Sequence, residues 1–255
     1  MYRIVTGGDR CPGHPVSQAM QIEAGAGIEA HNSYRVQRRV GGIVIGGEES
    51  VAEETPVALV YNGISHAVMM ATPDDLEDFA LGFSLSECIV RRPGEILDLD
   101  VMERDNGIEI QMRVSAERAL QLKEFRRSMA GRTGCGLCGT ESLDQLKRRA
   151  SRVDAEAVLS SGALPRALAS LESMQRLFRL TGAVHAAAWC NAQGAIELVR
   201  EDVGRHNALD KVIGAVAAQR GDFGAGFVLM TSRASYEIVQ KAAAVGIAVV
   251  AAVSA

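Results

Sequence analysis

The strongest constraint on this chain is the ordered alternation of apolar runs in its C-terminal part. Strand-like segments at 184–190 and 195–200 flank a turn at Asn191 to Gly194, which predicts a pair of antiparallel strands. Helical periodicity at 206–220 and 235–245 then alternates with strand-like runs at 227–231 and 247–253. A longer helix at 165–181, stopped by Gly182, precedes them. The order α-β-β-α-β-α-β calls for a mixed sheet covered by helices. A chain of 255 residues that is 47% apolar can bury the core such a layering needs.

The N-terminal half reads differently. Residues 1–34 are rich in Gly, Ala and Pro without a sustained period and predict a flexible tail. Its Cys11-Pro12-Gly13-His14 offers two ligands where a metal site needs more. Ordered structure is expected from about Val36. Asn62-Gly63 between two apolar runs predicts a hairpin over 56–70. A helix should follow, capped by Thr72, opened by Pro73, and presenting Leu76, Phe79, Ala80 and Phe83 on one face. A second hairpin over 96–114 turns at Asp105-Asn106-Gly107. The expected organisation is a small α+β domain at 35–114 followed by an α/β domain at 115–255. That second domain opens with a helix at 115–130, a cysteine loop and a short helix to 150. Gly41-Gly42 and Gly46-Gly47 lack the ending of a phosphate loop and are read as strand-end turns.

Composition narrows the function classes. A formal charge of -4, a pI near 5.8 and 4% aromatics argue against a nucleic-acid surface. The five cysteines are not spaced as a secreted disulfide framework, which suggests a reducing compartment. With no signal-like apolar run and no charge-free stretch of spanning length, the protein is expected to be soluble and cytoplasmic.

Two regions carry chemistry. In Gly134-Cys135-Gly136-Leu137-Cys138-Gly139, two thiols stand three apart among glycines that let a partner backbone approach. Ser142 with Gln145 resembles a capping box, and Lys123, Arg126, Arg127 and Arg132 lie upstream; positive charge and a helix start both favour thiolate. A zinc site would need His185 and Cys190 from a distant strand. A thioredoxin-type dithiol should follow a strand and open a long helix. A relay of sulfane sulfur fits best, with an inert buried pair as the remaining reading. The second region comprises Arg200-Glu201-Asp202-Val203-Gly204-Arg205-His206-Asn207 and Thr231-Ser232-Arg233-Ala234-Ser235, each running from a strand into a helix. Open α/β sheets bind anions at such places, where helix N-termini present unbonded N–H groups. Arginines there can grip phosphate, and Asp202, His206 or Ser232 could bond a base or pterin edge. Against this, Asp202 and Ser232 could simply cap helices. His66 reads as a packed or solvated residue and Cys88 as a small apolar side chain without a role.

The element order matches the core of the cytidine-deaminase-like fold, but the deaminase chemistry is missing. His185-Ala186-Ala187 has no carboxylate at its third position, and the Cys-x-x-Cys precedes the histidine.

These segments, with Glu54-Thr55-Pro56-Val57, Asp78-Phe79-Ala80-Leu81-Gly82-Phe83 and Gly182-Ala183-Val184-His185-Ala186-Ala187, resemble the FdhD family, accessory sulfurtransferases of formate dehydrogenase. The resemblance spans about residues 40–255. It implies a deaminase-like fold for the second domain, behind the small N-terminal α+β domain, and a homodimer. The implied task is relaying sulfur from a cysteine desulfurase to the molybdenum of bis-molybdopterin guanine dinucleotide, bound as substrate, before it enters formate dehydrogenase. Cys135 corresponds to the persulfide-bearing cysteine and Cys138 to its companion. His185, Asp202, Arg205, His206, Ser232, Arg233 and Ser235 are the expected cofactor-binding residues, with no metal held by the protein itself. Family members usually continue beyond the position of Ala255 to a basic segment associated with nucleotide binding, so part of that pocket is expected to be missing. The rival functions are a non-catalytic cofactor chaperone and a zinc-stabilised interaction module.

Overall fold

The computed structural model describes residues 28–120, 122, 152–154 and 157–254. The expected helix at 115–130 is described as helical at 116–120 and at 122; the cysteine loop and the helix leading to 150 lie outside the described residues.

The α+β architecture contains three sheets among the described residues. Strands β1 (His31–Val40) and β2 (Ile43–Ala52) form a two-stranded ribbon. Strands β3 (Thr55–Tyr61), β4 (Ile64–Ala71), β5 (Ile96–Arg104) and β6 (Gly107–Val114) form a sheet in the order β4-β3-β6-β5. Strands β7 (His185–Asn191), β8 (Ile196–Asp202), β9 (Gly226–Met230) and β10 (Val250–Ala252) form a mixed sheet in the order β10-β9-β7-β8. Only the β9–β10 pair of this second sheet is parallel. The helices are α1 (Leu76–Ser86), α2 (Ala163–Met174), α3 (Arg176–Thr181), α4 (Arg205–Ala218) and α5 (Tyr236–Ala244).

Sequence chemistry explains most of this. Tyr61 pairs with Ile64 across a two-residue turn in which Asn62 and Gly63 have φ of 49° and 76°, the positive values that a twist-matched hairpin requires. The second hairpin closes at Arg104 and Gly107. The second sheet is covered on both faces at its middle strands, so β7 and β9 read as near-continuous apolar runs instead of alternating ones. Ala187, Trp189, Val228 and Met230 face the main core, while Ala188, Cys190, Phe227 and Leu229 pack on Ala163, Ala167 and Leu171 of α2.

The main core joins both four-stranded sheets through α1 and α4. These helices touch backbone to backbone. A Cβ on Gly82 would sit 1.7 Å from the Asp210 carbonyl oxygen, and one on Gly214 would sit 1.9 Å from that of Asp78. Helix α4 is buried along Asn207–Ala217, all round its circumference. Its two interior charges are each paired: Lys211 Nζ lies 2.8 Å from Asp202 Oδ2, and Asp210 Oδ2 lies 2.9 Å from Lys241 Nζ. The Asp210 and Glu87 carboxylates hold Lys241 above the usual ammonium range, outweighing the burial that acts the other way.

Four expectations need correction. Strand β1 starts at His31, ahead of Val36, and the β1–β2 ribbon was not expected. Gly41 and Gly42 do form its turn, at φ of 56° and 88°, but Gly46 and Gly47 lie inside β2 opposite Gln37 and Val36. Thr72 does not cap α1; Asp75 holds that position at φ 54°, and Thr72 is engaged with the second sheet instead. Its N–H donates to Asp202 Oδ2 (3.0 Å), its Oγ1 accepts from Val203 N–H (3.1 Å), and its carbonyl accepts from Lys211 Nζ (2.9 Å). The helix expected over 165–181 is two helices broken at Gln175, whose ψ of 87° is not helical. The Glu201 carboxylate caps the new helix start, accepting from Leu177 N–H at 2.7 Å and Phe178 N–H at 2.8 Å. Gly182 ends α3 at φ 65°, as its sequence position suggested.

Candidate functional site

Strand direction gathers the expected site residues at one end of the second sheet. His185, the first residue of β7, pairs with Asp202, the last of β8. Thr231, just past β9, donates its N–H to Ala186 O (3.0 Å), and its Oγ1 accepts from Ala186 N–H (2.8 Å). The α4 and α5 starts therefore open at the same edge, with Arg205 and His206 in one first turn and Ser235 at the other N-cap. First-turn N–H groups have no carbonyl of their own helix to bond, so two such starts side by side form a positive rim.

The block from Arg200 to Asn207 divides in two. Arg200 grips Asp78 Oδ2 through Nε (2.9 Å) and Nη2 (2.7 Å), and Glu201 caps α3. Asp202 is wholly buried. Its Oδ2 meets Thr72 N–H and Lys211 Nζ, while its Oδ1 accepts from Gly204 N–H (2.7 Å) and Asn207 Nδ2 (3.0 Å). Four donors leave that carboxylate without a lone pair for a ligand, so it shapes the loop under the site.

Arg205 and His206 are the opposite case. Among the described residues, Arg205 Nε and His206 Nε2 are buried nitrogens with no hydrogen-bond partner. Unmatched buried nitrogens cost stability unless something outside the chain meets them. His206 Nε2 lies 3.5 Å from Glu237 Oε2, at the limit of a hydrogen bond. Burial and then the Arg205 charge push His206 below the ordinary imidazole value, against the pull of Glu237. His185 is lowered by the same two causes, opposed by Asp202. Both imidazoles are therefore neutral around pH 7.

Ser232 is buried, with its Oγ against the Arg233 carbonyl at 3.3 Å, and Arg233 is exposed at the mouth. Ser235 Oγ donates to Glu237 Oε2 (3.0 Å) and does not cap the helix. Glu237 was missed in the sequence, where the signal was an acidic residue two positions past an N-cap serine. Cys135 and Cys138 lie outside the described residues. Of the described cysteines, Cys190 is buried and burial pushes its thiol up to about 12. No cluster that could hold a metal ion occurs among the described residues, and no helix there is long and apolar enough to cross a membrane.

These features define a class: an α+β protein with a phosphate-compatible rim at the carboxyl ends of a mixed sheet. The family profile of FdhD/NarQ matches residues 52–255, and the chain belongs to that family. A sulfur carrier protein FdhD from Cupriavidus necator is 55% identical over 225 residues, covering 88% of this chain and 78% of that protein. One from Bordetella petrii is 54% identical over 222 residues, covering 86% and 80%. The crystal structure of a protein assigned as a formate dehydrogenase accessory protein from Desulfotalea psychrophila superposes with a TM-score of 0.65. It covers 88% of this chain and 84% of that one at 23% identity, a likeness of fold.

Proposed function

We propose that this protein is a cytoplasmic sulfur carrier that serves the maturation of formate dehydrogenase. The observation that carries the reading is its family membership beside relatives that are sulfur carrier proteins and share about half of its residues. The glycine-flanked Cys135 and Cys138 supply the thiols such a task needs, whereas the Cys190 sulfur is buried and protonated.

In the first step Cys135 thiolate attacks the outer sulfur of a cysteine desulfurase persulfide. The S–S bond of the donor breaks, the desulfurase leaves as its cysteine thiolate, and Cys135 becomes the persulfide. The acceptor is bis-molybdopterin guanine dinucleotide, bound as substrate, its phosphates at the two helix starts and in reach of Arg205, Arg233 and Ser235. His185, His206 and Ser232 border its polar edge, and Asp202 keeps the loop in place. Cys138 then either takes the sulfur over or releases it as sulfide by closing a disulfide with Cys135, which a dithiol reductant reopens. The protein acts as a sulfurtransferase, works as a homodimer and hands the cofactor to its client.

Incubating the full chain with a desulfurase and cysteine, then weighing the peptide that contains Cys135, tests this. The mass of one added sulfur is expected, and it should vanish in Cys135→Ala. Full client activation by the Cys135→Ala/Cys138→Ala variant would instead identify a chaperone that only delivers the cofactor.

A further inference from the structure

Glu237 stands in the first turn of α5 and belongs to none of the expected ligand-binding residues. Its Oε2 joins two residues that do: it accepts from Ser235 Oγ at 3.0 Å and faces His206 Nε2, across on α4, at 3.5 Å. One turn deeper, Asp210 and Lys241 bond across the same two helices at 2.9 Å and set the spacing of their starts. Arg205 adds a buried Nε with no partner among the described residues beside this pair.

We propose that Glu237 is a positioning residue of the sheet-end site, holding Ser235 and His206 so that an incoming phosphate and a proton on His206 are bound together. The inference rests on the phosphate-bearing ligand of the proposed function and adds how that ligand is held. Three charges face the His206 imidazole: Arg205 from its own helix, and Glu237 and Lys241 from α5. The two cations and burial oppose a second proton on the ring, and Glu237 favours it. A phosphate beside Arg205 neutralises the nearer cation, which tips the balance towards imidazolium. The proton then places Nε2–H against Glu237 Oε2 and turns their 3.5 Å approach into a charged hydrogen bond. By linkage, whatever makes the proton bind more tightly makes the anion bind more tightly by the same factor. Glu237 itself stays ionised: burial raises it, but the Ser235 hydroxyl, its own N–H and the neighbouring cationic groups outweigh that.

Calorimetric titration of the full chain with guanosine diphosphate, at about pH 7 in two buffers of different ionisation enthalpy, counts the protons taken up. The parent should take up protons and bind more tightly as pH falls. Glu237→Gln should lose part of that uptake, bind several-fold more weakly and show a flatter pH profile. Glu237→Asp should restore most of both, and His206→Gln should remove the same share as Glu237→Gln. Binding with uptake and pH profile unchanged in Glu237→Gln would overturn this inference and leave the ligand reading intact. No binding of guanosine diphosphate at all would overturn both. In the ligand-free protein, the His206 midpoint followed by NMR should fall in Glu237→Gln; an unmoved midpoint also overturns the inference.

Discussion

Two parts of the molecule handle charge in opposite ways. In the interior between the two four-stranded sheets, each buried ion faces its counter-ion: Lys211 with Asp202, and Lys241 with Asp210 and Glu87. At the end of the second sheet, Arg205 Nε and His206 Nε2 are buried and unmatched among the described residues. Both regions draw on the same charged block, Arg200 to Asn207. A dense run of polar residues is therefore a poor guide to ligand contact. What separates the two groups is whether the folded chain satisfies their polar atoms.

The largest expected effect tests the interior. Lys211→Met leaves the Asp202 carboxylate buried without its cation, which should cost about 3–5 kcal/mol in chemical denaturation. A loss under about 1 kcal/mol would mean that the pair is hydrated, and the contrast would fail. The next effect tests the sheet end. Arg205→Ala should weaken guanosine diphosphate binding about tenfold or more, by removing a charge-assisted contact, while leaving the melting temperature unchanged or slightly higher. A variant that melts well below the parent would assign Arg205 to the scaffold. The smallest effect lies at the far end of α1, where Ile89 N–H bonds Ser84 O and Cys88 N–H bonds Leu85 O in a helix-ending motif that favours glycine. Cys88 occupies its left-handed position at φ 58°, so Cys88→Gly should stabilise the protein by about 1 kcal/mol in thermal melts.

Local chemistry was the legible part of the sequence. Asn62-Gly63, the apolar face of α1 and the β7-to-β10 succession all express short-range rules, and each is present in the fold. The misreadings came from long-range partners. Thr72 beside Pro73 has the local form of a cap, but the atoms that decide its role belong to Asp202, Val203 and Lys211. The break at Gln175 has no proline or glycine to announce it, and the carboxylate that caps the new helix comes from Glu201. At the site, the sequence located the two strand-to-helix turns. It could not tell that Asp202 is fully used by its own fold or that Glu237 joins the two helices, because both facts depend on which side chains meet across elements.

The Thr72 node has a mechanical consequence. All three of its polar atoms are bonded across the boundary, to Asp202 and Val203 at the end of β8 and to Lys211 on α4, while Gly82 and Gly214 bring α1 and α4 into backbone contact on the same boundary. A hinge between the halves would break three hydrogen bonds and expose the Lys211 charge in one motion. The two halves should therefore melt as one cooperative unit, and the two helix starts at the sheet end stand on a rigid platform.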